Sequence, residues 1–70
     1  MELKKIIDWI LSEGGEFIDA RKLAKKFNIT THSAGRVLKN LQKLGYIKIY
    51  KKRRGRFTIY KLGDVAKQHS

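Results

Sequence analysis

The spacing of apolar residues changes at Gly45, from the helical period to strict alternation, and that change narrows the possible folds more than any other feature of the chain. Before it, Leu3, Ile6, Ile7, Ile10 and Leu11 recur at i, i+3, i+4, i+7 and i+8, one apolar stripe of a first helix. Gly14-Gly15 is expected to stop that helix, because a left-handed cap costs glycine almost nothing. Phe17 and Ile18 read as a short strand. Asp19 can then cap a second helix over Ala20 to Phe27, its carboxylate also meeting the positive dipole end, with Leu23, Ala24 and Phe27 as the buried face. After Asn28-Ile29-Thr30, either Thr30 or Thr31 can cap a third helix that runs to Leu44 and is ended by Gly45.

Ala34, Val37, Leu38, Leu41 and Leu44 fall on one side of this third helix, and His32, Arg36, Lys39 and Lys43 fall on the other. Beyond Gly45, Ile47 and Ile49 alternate with Lys48 and Tyr50, and Phe57 and Ile59 alternate with Thr58 and Tyr60, which predicts two strands. Phe57/Ile59 and Tyr60/Leu62 compete for the buried face of the second. Between the strands, Lys51-Lys52-Arg53-Arg54-Gly55-Arg56 has a turn glycine and five positive charges, and reads as a projecting hairpin tip. The expected organisation is one α+β domain over 1–62 and a polar tail over 63–70. At 70 residues the core is small, and a stability of about 4–10 kcal/mol is expected.

The charge is segregated along the chain. From Ala20 to Gly63 there are fourteen Lys or Arg and no Asp or Glu, while all six acids (Glu2, Asp8, Glu13, Glu16, Asp19 and Asp64) lie outside that window. A field of +14 over 44 residues, against −3 over the remaining 26, suits a polyphosphate partner. With no cysteine there is no disulfide framework, thiolate nucleophile or Cys-based zinc site. The longest apolar run is Trp9-Ile10-Leu11, too short to span a bilayer, and the Lys-interrupted start is not a signal peptide. The expected location is the cytoplasm, in association with the nucleoid.

An enzyme fits poorly. Two histidines, one of them in the tail, supply no metal triad, and Glu13, Glu16 and Asp19 have no paired base. Gly14-Gly15 lacks the spacing and the Lys-Ser/Thr of a phosphate-binding loop. No catalytic residue, metal or cofactor is therefore expected. A module that binds only protein would need a strongly acidic partner.

Leu23-Ala24-Lys25-Lys26-Phe27-Asn28-Ile29-Thr30, followed by Ala34, Val37-Leu38, Leu41 and Leu44-Gly45-Tyr46-Ile47, resembles the signature of winged helix-turn-helix transcription regulators, and the resemblance covers nearly the whole chain. It implies three helices with a C-terminal β-hairpin wing. It further implies double-stranded DNA as the partner of a small transcription regulator or chromatin-associated factor, with Thr31 to Leu44 as recognition helix in the major groove and Lys51 to Arg56 as wing on backbone or minor groove. Arg36-Val37-Leu38-Lys39 with Leu41 and Gly45 also resembles Z-DNA-binding winged helices. Their Asn and Tyr readers, however, are replaced here by Gly35 and Lys39, and their Pro-Pro and Trp wing is absent. A third resemblance is to a winged-helix small-subunit ribosomal protein, echoed in Ile59-Tyr60, which keeps ribosomal RNA as the alternative partner.

On this reading Arg36 is the best candidate for bidentate bonding to guanine, with His32, Ser33 and Lys39 as further candidates for base reading. Phosphate contacts fall to Arg21, Lys22, Lys25 and Lys26 on the second helix, Thr31 and Lys43 on the third, and Lys51, Lys52, Arg53, Arg54 and Arg56 in the wing. Arg53, Arg54 and Arg56 around Gly55 also suit a minor-groove probe. The blander reading makes the same cations a solvated face and a loose basic loop. Gly35 inside a helix invites a reason, and close approach to duplex or to the second helix would supply one. Tyr46, Tyr50 and Tyr60 could stack on bases but more often pack a small sheet. Trp9 and Ile10 are the apolar candidates for a homodimer contact, with Trp9 alternatively a lid on the core.

Overall fold

The computed structural model describes residues 3–12 and 17–63. The elements run α1 (Leu3–Ser12), β1 (Phe17–Ile18), α2 (Ala20–Phe27), α3 (Thr31–Lys43), β2 (Ile47–Lys51) and β3 (Ile59–Leu62). This is the α+β winged-helix order expected from the pattern of periods. The glycine stop expected at Gly14-Gly15 and the tail from Asp64 onward lie outside the described residues.

Short polar signals set the helix ends. Asp19 sits in extended backbone and its Oδ1 accepts the Lys22 amide at 2.8 Å, which fixes the first turn of α2. Asn28 closes α2 at φ 54, a left-handed conformation that Asn tolerates better than most residues. Of the two possible caps for α3 the structure uses Thr30, whose Oγ1 accepts the Ser33 amide at 3.0 Å. At the other end Gly45, at φ 87, donates to the Gln42 carbonyl and Tyr46 donates to the Leu41 carbonyl, both at 3.0 Å. That pair of bonds satisfies two otherwise orphaned carbonyls and turns the chain back toward the sheet.

The three strands pair antiparallel in the order β1-β3-β2, with Ile18 opposite Tyr60 and Ile47 opposite Leu62. One face of this sheet and the inner stripes of the helices enclose Ile6, Ile10, Ile18, Leu23, Ala34, Leu38, Leu41, Ile47 and Tyr60. Burial pushes the Tyr60 phenol above its ordinary value, so the ring stays neutral. The competition for the inner face of the last strand goes to Tyr60. Phe57 precedes β3 and is exposed.

Several expectations need correction. Leu44 is 54% exposed although it lies on the apolar side of α3, because the helix has run past the edge of the core and it is Tyr46 that packs there. Ile49 of β2 is also exposed: it keeps the register of Ile47, opposite Tyr60, but lies beyond the core in the cleft beside Gln42 and Lys43. Lys51 belongs to that strand rather than to the loop. Ile10 is buried, one helical turn from Ile6 on the stripe that faces the core, and so is no exposed contact for a second copy. Trp9 is half-buried and meets Phe27 edge-on at 5.5 Å, the position of a lid between α1 and α2. Gly63 is buried and donates to the Tyr46 carbonyl at 2.8 Å, so the fold includes the first residue assigned to the tail.

Candidate nucleic-acid interface

Because Ala34, Leu38 and Leu41 hold α3 against the core, its opposite face is left to water, and His32, Ser33, Arg36, Lys39 and Lys43 are all exposed there. Three shallow clefts surround this face. A notch of about 190 Å³ is lined by Ala20, Thr31, His32, Gly35, Arg36, Lys39 and Phe57. A cleft of about 510 Å³ separates the end of α3 from the hairpin and is lined by Lys39, Gln42, Lys43, Ile49, Lys52, Thr58 and Tyr60. A third, of about 490 Å³, lies between the start of α2 and the hairpin tip, against Asp19, Arg21, Arg53, Gly55, Arg56 and Phe57. The first shares Lys39 with the second and Phe57 with the third. Together they form one trough that runs from Lys43 across the middle of α3 to Arg56. Eight Lys, Arg and His side chains line it, namely Arg21, His32, Arg36, Lys39, Lys43, Lys52, Arg53 and Arg56, and Asp19 is the single carboxylate.

The fold that carries this trough, rather than the trough itself, is matched by comparison with known proteins. A family model described as "HTH domain" matches residues 2–57. The chain belongs to the HTH-domain family. Among solved structures, the HTH domain is similar to the transcriptional regulator homologue protein from Pyrococcus horikoshii OT3, with TM-score 0.69, 18% identity, and 96% of this chain aligned to 66% of that one. It is also similar to the type III plasmid segregation protein TubR, with TM-score 0.59, 19% identity, and 97% of this chain aligned to 80% of that one. At these identities the likeness establishes the winged-helix fold. The chain spans just under two thirds of the length of the first of these structures. No curated protein matches the sequence.

The HTH domain does not gather all the expected site residues into the trough. Arg21 is the one cation of α2 that lines it. Lys25 and Lys26 are exposed elsewhere on that helix, and the Lys22 ammonium donates to the Phe17 carbonyl at 3.4 Å. Ser33 is exposed in the first turn of α3, and its hydroxyl accepts from Thr30 Oγ1 at 3.0 Å. In the wing, Gly55 makes the turn at φ 70. Arg54 and Arg56 project into solvent, whereas Arg53 is half-buried and its Nη2 donates to the Phe57 carbonyl at 3.5 Å. Arg53 thus lines the trough while one of its guanidinium nitrogens is tied to the base of the wing. Lys51 and Lys52 are both exposed.

Two features of the trough escaped sequence reasoning. Alternation with Ile59 puts Phe57 in a strand, yet it lines two clefts at 40% exposure. Ile49 and Gln42 join the lining for the same reason, since only the fold brings the hairpin beside the end of α3. Gly35 has a different surprise. A Cβ built on it meets nothing within 4 Å, so packing against α2 is not why a glycine stands there. Among the described residues no three His, Cys, Asp or Glu side chains come together as metal ligands, and no helix is long and apolar enough to cross a membrane.

Proposed function

We propose that this HTH domain binds double-stranded DNA as a small transcription regulator or chromatin-associated factor, α3 entering the major groove and the wing lying along backbone or minor groove. The observation that carries the reading is the continuity of the basic trough from α3 to the hairpin tip, with Asp19 as its one carboxylate. A duplex presents phosphates on both sides of the groove a helix occupies, and cations on α2, on the end of α3 and on the wing flank the exposed face in the corresponding way. Arg36, mid-helix on that face, has the fork of donors that matches guanine O6 and N7. Lys39 lies between reader and anchor. Lys43, Lys52, Arg54, Arg56 and Arg21 sit where the helix and wing leave the groove, and they take phosphates.

Paired substitutions separate these roles. Arg36→Ala is expected to cost about 1–3 kcal/mol of binding and to relax preference at one base position, while Lys43→Ala weakens all duplexes alike. Selection from a random duplex library with each variant reads both effects. Uniform losses for the two variants would show that α3 reads no base, leaving an architectural binder.

A further inference from the structure

The notch between α3 and the base of the wing holds two residues that the fold itself does not explain. Glycine is among the least favourable residues inside a helix, and at Gly35 neither a positive φ nor a close neighbour requires it: a Cβ would stand in open space. Across the notch, Phe57 leaves 40% of its surface exposed beside Arg21, Arg36 and Lys39 rather than in the core. Bare helix backbone on one side and an apolar ring on the other make a small apolar recess in a cationic surface.

We infer that this notch receives the 5-methyl group of a thymine in the major groove, which makes Gly35 and Phe57 specificity-determining residues. The inference rests on the duplex-binding reading above. The cations around the recess call for a polyanion, and the thymine methyl is the apolar group that base pairs present in the major groove. The volume of about 190 Å³ is enough for the edge of a base. Arg36, one residue along from Gly35, would then read the neighbouring base pair.

The test uses the duplex preferred by the wild-type protein in a random-library selection, with each thymine replaced in turn by deoxyuridine. That replacement removes one methyl group while keeping pairing and charge. Wild type should lose about fourfold in affinity at one position, the loss appropriate to one unburied methyl. Phe57→Ala should bind the thymine and uridine duplexes equally. Gly35→Ala should melt at a higher temperature than wild type, since alanine favours the helix, and yet lose the same discrimination because its Cβ would stand where the thymine methyl enters. Equal binding of thymine and uridine duplexes by wild type, or discrimination that survives in both variants, would overturn the notch while leaving duplex binding intact. Failure to bind any duplex would overturn both.

Discussion

Raising monovalent salt from 50 to 200 mM is expected to weaken duplex binding by about a thousandfold, with log K falling against log salt at a slope near −5. The estimate follows from the trough. Cations from α2, α3 and the wing line it, enough to neutralise about six phosphates, and each neutralised phosphate of B-form DNA contributes about −0.9 to the slope through released counterions. Replacing Lys52, Arg54 and Arg56 with Ala should weaken every sequence by a similar factor and flatten the slope by about 2–3. A wild-type slope shallower than about −2 would mean that the wing and α2 stay off the backbone.

Leu41→Ala should be the most damaging of the conservative core changes in α3. Its side chain is fully buried among helices and sheet, and truncating such a leucine typically costs about 2–5 kcal/mol. Against a total of about 4–10 kcal/mol for a domain of this size, that leaves a fold only marginally populated. Leu44→Ala, three residues on and on the same side of the helical wheel, should change stability by less than about 0.5 kcal/mol because Leu44 is 54% exposed. Urea denaturation followed by circular dichroism measures both. Similar losses for the two would contradict the helix ending described at Gly45.

The contrast between Leu41 and Leu44 shows where sequence reasoning succeeds and where it stops. Periodicity placed all three helices and the hairpin, because amphipathic spacing and caps such as Asp19 and Thr30 are local properties of the chain. Where a helix outruns its core at Leu44, or a strand does at Ile49, depends on the three-dimensional edge of the packing, which no local pattern encodes. The same division applies to the site. The cationic face of α3 was legible because its residues share one helix. The fold alone brought Phe57, Ile49 and Gln42 beside that face, and it turned Arg53 back onto Phe57. Lys25 and Lys26 shared the sign of the trough but not its location, since a charge count carries no direction.

If the basic trough is shaped for duplex DNA, competition between duplex and RNA at fixed salt should reveal it. A labelled duplex bound to the full chain is challenged with unlabelled random duplex DNA and with structured RNA at equal phosphate concentration, and the displacement is followed by fluorescence anisotropy. Duplex DNA should compete at least about tenfold more strongly than structured RNA, a difference of about 1.4 kcal/mol. A preference of that size for structured RNA would contradict it and would make ribosomal RNA the partner of this winged helix.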